Sequence, residues 1–390
     1  MAGHQGLLPR SADVSIDGWK DRFALGETIY LNGAAHGPLP SVAIEAAEEA
    51  LGWKRDPSLI DDSVYFTLPD RVRAAGSPFF GVDAEEIAVV TGASTGINLV
   101  VAGLDWRPGD QVIIPAGEFP ANYLPWFSLR PRGVEVTVLA GDRGVRVEDI
   151  EAAMRDRTRV VALGHVNFAS GYRIDIDSVG ELCAERGVAF VIDASQSLCA
   201  VPLNARRCAA TVVSAAGYKW MCSPYGTGLF YVHPDWLERL PVPNVNWESV
   251  SGAEDFNNLT SLELTYRPGA ARHDAPETAS FMNCMAMAAS LELLGSIGAE
   301  SIFEHSTALL DRLIEGLPPG FESGSDLALA HRSTILRVVG GDPGATAAAY
   351  QRCLSAGISV SLRENGIRVA PGVWNSSEDI DRLLEVLGSG

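Results

Sequence analysis

Two stretches, Val188-Ala189-Phe190-Val191-Ile192-Asp193 and Ala215-Ala216-Gly217-Tyr218-Lys219-Trp220, decide the reading of this chain. The first is five apolar residues closed by a carboxylate. The second is the end of an apolar run (211–215) that leads through a glycine into a lysine. Strands that are apolar on both faces belong to parallel sheets covered by helices. The same pattern extends outward. Residues 87–91, 111–115, 135–139, 160–165, 189–193 and 211–215 read as strands, and 94–104, 147–154 and 177–186 as the helices between them. Residues 227–232 follow a Gly/Pro-rich turn and read as an added antiparallel strand.

Further along, 279–294 reads as a long amphipathic helix, and beyond it the character changes. Residues 333–339 suggest a strand, 346–356 a helix, 358–362 and 366–369 a hairpin, and 377–387 a closing helix. Ser376 and Ser377 are its N-cap candidates, with Glu378 and Asp379 in its first turn. The expected fold class is α/β: a mostly parallel sheet in a large domain (51–295), plus a smaller α+β domain (296–390). Residues 1–50 are expected to form an arm and a helix that pack with the small domain.

The 390 residues carry 47% hydrophobic and 20% charged side chains, enough for a sizeable core. A net charge of −19 with no Lys/Arg block argues against nucleic acid and anionic membranes. No apolar run reaches the roughly 18–20 residues of a membrane span, and residues 1–21 lack the pattern of a secretory leader. The six cysteines show no metal-ligand spacing, so no metal is expected, and scattered thiols suit the cytoplasm. The 30 basic residues divide into 27 arginines and three lysines, Lys20, Lys54 and Lys219. A guanidinium cannot form an imine; an amine whose pKa is lowered by burial can. Lys219 alone ends an apolar stretch.

In open α/β sheets the active site lies beyond the carboxyl ends of the strands. Asp193 stands at such an end, either as a helix cap or as a charge that keeps a pyridine nitrogen protonated. One strand further on, Lys219 would reach the other side of the same ring. Thr91-Gly92-Ala93-Ser94-Thr95-Gly96 joins a strand to a helix, where backbone N–H groups could receive a phosphate or serve as an ordinary cap. It is neither a Walker loop nor a dinucleotide turn. Phe119 could stack on a flat ring or pack in the core.

From Tyr30-Leu31-Asn32-Gly33-Ala34-Ala35-His36-Gly37-Pro38 to the last helix, the order of these motifs resembles the class V aminotransferase family of pyridoxal-phosphate (PLP) enzymes. That family also contains cysteine desulfurases, kynureninases and isopenicillin N epimerase-like proteins. The resemblance implies the PLP-dependent fold type I, a homodimer with shared active sites, and an amino-acid substrate. It implies that Lys219 is the Schiff-base lysine and that Asp193 partners the pyridine nitrogen. Ser94, Thr95 and Tyr218 resemble phosphate contacts, and Phe119 the stacking aromatic. Gln196 and Asn167 resemble contacts near the ring oxygen. Arg368 resembles the arginine that grips the substrate carboxylate, a role suited to its fork. Asn32 and His36 stand on the substrate side, with Trp126, Arg363 and Trp374 as further candidates there.

The chain departs from the family pattern in three places. Ala216 replaces a common hydroxyl, with Ser214 nearby but out of register. Ala370 and Trp374-Asn375 follow Arg368 where Ser and Tyr-Asn are frequent. No cysteine occurs in 357–368 or 323–332, where desulfurases carry their persulfide-forming thiol, and Cys353 reads as core. An aminotransferase-like enzyme is therefore the first expectation. A C–S or C–C lyase or an epimerase on the same scaffold is the alternative, and a cysteine desulfurase ranks lower. A non-catalytic PLP-binding regulator lacks a basic patch to support it, and a nucleotide-binding enzyme lacks its phosphate loop.

Overall fold

The computed structural model describes residues 18–141, 144–242, 244–278 and 280–389. Residues 1–17, most of the stretch read for a leader, lie outside it.

Among the described residues the dominant element is a seven-stranded sheet. Its strands are β2 (Ile87–Val90), β3 (Gln111–Pro115), β4 (Glu135–Leu139), β5 (Thr158–Gly164), β6 (Ala189–Asp193), β7 (Val212–Ala216) and β8 (Gly228–Val232). The spatial order is β2-β8-β7-β6-β5-β3-β4, and β8 alone runs against the rest. β2, β3, β6, β7 and β8 are buried along their whole length, whereas the edge strand β4 is half open. Each fully buried Val, Ile or Phe contributes roughly 1.5–3 kcal/mol. The core therefore fixes the strand ends that carry the polar residues. Packed around this sheet are α2 (Val64–Phe80), α3 (Ala93–Gly103), α4 (Leu124–Phe127), α5 (Val147–Ala153), α6 (Ile176–Arg186) and α7 (Phe281–Ile297). Residue 279, the expected start of α7, lies outside the described residues.

A second sheet of β9 (Phe321–Ser323), β10 (Leu336–Gly340), β12 (Ser361–Arg363) and β13 (Gly366–Val369) is antiparallel, in the order β12-β13-β10-β9. α8 (Ala299–Gly316), α9 (Pro343–Ser355) and α10 (Ser377–Gly388) pack with it around a separate apolar cluster that includes Leu313, Val338, Ile367 and Leu383. The hairpin expected from 358–362 and 366–369 is shorter than its apolar pattern suggests. Of the expected first arm only β12 pairs with β13, through the turn Glu364-Asn365, whose φ angles are 45° and 60°. Ile358–Ser359 forms β11 and pairs in parallel with β1 (Ile29–Tyr30) instead. The arm thus adds a strand beside Ile358–Ser359. The following helix α1 (Ser41–Arg55) lies along α7. No single helix among the described residues is long and apolar enough to cross a membrane.

Candidate active site

Asp193 is the last residue of β6, and Lys219 follows β7 by three residues. The register Asp193↔Ser214 sets their strands side by side. Asp193 and Lys219 line one cavity with Phe119, Asn167, Phe168 and Gln196. The two decisive side chains are 7% and 6% exposed, whereas Lys20 and Lys54 are exposed and Lys20 is paired with Asp379 at 2.9 Å. Burial lowers the Lys219 amine to about 8; Asp193 opposes that shift and Arg368 adds to it. A lysine held near 8 is poised for imine and proton-transfer chemistry at neutral pH.

Asp193 Oδ1 accepts the N–H of Ser195 at 2.9 Å. Lys219 Nζ lies 5.1 Å from the ring centre of Phe119, a residue that is 40% exposed and meets Phe168 in a T-shaped contact. The turn around Lys219 is clamped by the arm. Gly37 donates its N–H to Tyr218 O at 2.9 Å, and a Cβ at position 37 would collide with the Lys219 carbonyl. His36 and Tyr225 flank the Tyr218 ring at 5.0 and 4.7 Å.

Arg368, on β13, is 2% exposed. It donates to Phe168 O at 2.7 Å and to Asn32 Oδ1 at 3.4 Å, and its buried Nε has no partner among the described residues. Asn32 Oδ1 also accepts from Ser361 at 2.8 Å. Burial and the charge of Arg363 lower Arg368 to about 10, so its fork is short of a counter-anion. Asn167 is tied locally: its amide donates to Gly117 O at 3.1 Å, and its oxygen accepts from Ala169 and Ser170.

Other expected site residues sit differently. Gln196 lines the cavity, but its amide is engaged at both ends, by Ala34 O at 2.9 Å and Trp220 Nε1 at 2.9 Å. Ser94 and Thr95 open α3 outside the cavity lining, with Thr95 Oγ1 2.8 Å from Thr91 Oγ1. Ser214 Oγ donates to Ala93 O at 3.0 Å and fastens that helix start to β7. Trp126 and Trp374 are core residues, bonded to Asn122 and Tyr30.

Sequence reasoning missed Glu118. Its carboxylate is buried in the same cavity and accepts from Gly164 N at 2.8 Å and Asn122 Nδ2 at 2.9 Å. Burial raises it to about 7 despite those bonds. The signal was present, since it stands three residues beyond an apolar strand, as Lys219 does.

The donor set fits pyridoxal phosphate. It offers a buried amine for the aldehyde, a carboxylate for the ring nitrogen and an aromatic face for the ring; Arg368 is buried nearby, behind Phe168, and is not among the residues that line the cavity. Residues 29–383 match the family described as aminotransferase class-V. A protein of Methanothermobacter thermautotrophicus named probable cysteine desulfurase is 27% identical over 98% of this chain and 98% of its own. Two solved structures share the fold at 22% identity. One, a C-DES mutant with glycine covalently linked to its PLP cofactor, has a TM-score of 0.85 over 95% of this chain and 99% of that one. The other, the cystine C–S lyase C-DES with its product cysteine persulfide, has a TM-score of 0.84 over 94% of this chain and 98% of that one. The architecture is the PLP-dependent fold type I, and the chain belongs to the class V aminotransferase family.

Proposed function

We propose that this protein is a PLP-dependent lyase that cleaves the carbon–sulfur bond of a small amino acid without a protein thiol as sulfur acceptor. The observation that carries this reading is the meeting of Lys219, Asp193 and Phe119 in one cavity that no cysteine lines. All six thiols are free and buried. The hairpin where desulfurases carry a reactive loop is here a two-residue turn, Glu364-Asn365. The names of the relatives favour sulfur chemistry over aminotransfer, the first expectation from sequence, and the missing thiol favours a lyase over a dedicated desulfurase.

When bound, the cofactor supplies an electron sink for the substrate Cα. Lys219 would hold its aldehyde, Asp193 would pair with its ring nitrogen and Phe119 would cover its ring; the Lys219 amine is the base that would take the Cα proton. Ser94, Thr95 and Tyr218 serve the phosphate, and Asn167 and Gln196 border the ring oxygen. Arg368 would grip the substrate carboxylate, with Asn32 orienting its fork, and His36 would act from its place beside the Tyr218 ring. The division into residues 1–50, 51–295 and 296–390 belongs to the same reading. So does a cytoplasmic homodimer, supported by the free thiols and by exposed apolar side chains such as Tyr225 and Leu264.

The test is an absorbance scan after incubation with PLP, followed by amino-acid challenge. A visible band is expected in the wild type and absent in Lys219→Ala, and cysteine or cystine should yield pyruvate and ammonia. Conversion of the cofactor to its amine form, with a keto acid matching the substrate, would mean aminotransfer instead. A colourless wild type, with no mass added at Lys219 after borohydride, rejects the cofactor assignment itself.

A further inference from the structure

A second cavity of about 740 Å³ adjoins the one around Lys219. The two share Gly117, Glu118, Gly164 and Asn167 in their linings. A substrate whose Cα lies at Lys219 has that larger space, past the shared wall, for whatever it carries beyond Cβ. Among the described residues, Glu118 is the one ionisable side chain that borders both cavities.

The fold holds its carboxyl group in place. Gly164 donates its N–H to Oε1 at 2.8 Å, and Asn122 Nδ2 donates to Oε2 at 2.9 Å. Asn122 accepts in turn from Nε1 of the fully buried Trp126 at 3.3 Å, so this chain of bonds ends in the core. Gly164 leaves room for the group, since a Cβ there would stand 3.1 Å from Oε2. The register Gly164↔Asp193 sets the carboxyl group beside the strand end that carries Asp193. Both oxygens accept one bond each, which leaves a lone-pair position for a proton. Burial raises Glu118 to about 7, with the charge of Asp193 adding to the shift, so it is partly protonated at neutral pH.

Three titratable side chains line the inner cavity: Lys219, Asp193 and Glu118. The first is the base for the Cα proton and the second is committed to the ring nitrogen, which leaves the third without a task. Breaking a carbon–sulfur bond produces a basic thiolate, and an acid placed beside it typically contributes 10²–10⁴-fold. We propose that Glu118 is the acid that protonates the departing sulfur. The role rests on the lyase reading above and adds the source of the second proton. The Cα–H and Cβ–S bonds break. Lys219 Nζ takes the Cα proton, the C–H electron pair becomes a Cα–Cβ double bond, and the C–S pair leaves on sulfur. Glu118 gives that sulfur its proton, so a neutral thiol departs, and the carboxylate is reprotonated from solvent through the larger cavity. The other charged or titratable side chains around the two spaces are Asp193 and Lys219 on the inner side and Tyr172, Asp326, Arg337 and Glu364 on the outer side.

Two substrates separate this role from a structural one. S-ethyl-L-cysteine releases a basic thiolate, whereas β-chloro-L-alanine releases chloride, which needs no proton. In Glu118→Gln, kcat/KM should fall about 100-fold more for S-ethyl-L-cysteine than for β-chloro-L-alanine. Equal losses would mean that Lys219 passes the Cα proton on to sulfur or that Glu118 only braces its loop, and would overturn the proposal. The wild type gives the same answer without a variant. Its kcat/KM ratio, S-ethyl-L-cysteine over β-chloro-L-alanine, should fall as pH rises through about 7, because the acid is then ionised; a flat ratio overturns the role. Infrared difference spectra of the cofactor-free protein should show a protonated carboxyl group that disappears between about pH 6 and 8 and is missing from Glu118→Gln. Its absence from the wild type also overturns the role. A wild type that forms pyruvate from neither substrate sinks the lyase reading, and this role with it, even where the infrared signal stands, so the two failures are told apart.

Discussion

Replacing Lys219 by methionine should stabilise the cofactor-free protein, because a buried amine with no aldehyde to bind is costly. Burial lowers its pKa from 10.5 to about 8. Between those values the unfolded chain binds a proton that the native state has lost. Native stability therefore rises with pH across that window, and below pH 8 the penalty is present in full. The displacement corresponds to about 3 kcal/mol at pH 7. Methionine has a similar length and no charge to desolvate. With an unfolding entropy of about 2.1 cal/mol/K per residue, the chain loses or gains roughly 1 °C in Tm per 0.8 kcal/mol. Lys219→Met should thus melt about 4 °C higher than wild type at pH 7 in scanning calorimetry of cofactor-free samples. By pH 9.5 the difference should shrink to less than half, about 1.4 kcal/mol, because the folded wild-type amine is then neutral and the pH lies only about one unit below the unfolded pKa. A Tm at or below wild type at pH 7, or a gap that does not change between the two pH values, would refute the claim that desolvation sets this amine's charge.

An aromatic disulfide reagent should label none of the six cysteines in the native protein and all six in denaturant; fast native labelling would restore a thiol relay to the mechanism. Arg368→Lys, which loses the fork held by Phe168 O and Asn32, should lower kcat/KM roughly 10- to 150-fold, the equivalent of 1.5–3 kcal/mol for a charged hydrogen bond. The loss should appear mainly in KM and be smaller for the amide of the same substrate, and an equal loss for both would remove Arg368 from carboxylate binding.

The strands of the large sheet were legible because each is an apolar run closed by turn residues. β3, β4 and β6 begin and end where the pattern says. β5 starts two residues early, at Thr158, because ladder pairing does not require an apolar side chain at the strand's first positions. The two decisive side chains were legible for a related reason: Asp193 and Lys219 are charged residues at the ends of buried strands, where charge needs a purpose. What sequence hid is what depends on distant pairing. Nothing local in Ile358–Ser359 distinguishes a hairpin arm from a partner for Ile29–Tyr30. Gln196 has two polar ends, and only the fold reveals that Ala34 and Trp220 take them. The large cavity joins loops after β3 and β5 to the β12–β13 turn, and no short-range pattern could announce it.

The pairing of the arm with the far end of the chain also bears on how the molecule is made. Asn32, which orients Arg368, meets Ser361 across 329 residues of sequence. At about 5–20 residues per second, the ribosome delivers that partner roughly 15–65 seconds after the arm emerges. The large sheet, Asp193 and Lys219 are all synthesised in the interval. A nascent chain can therefore bring Asp193 and Lys219 together before Asn32 meets Ser361 and Arg368, so the proposed grip on a substrate carboxylate is the last part of the site that synthesis delivers.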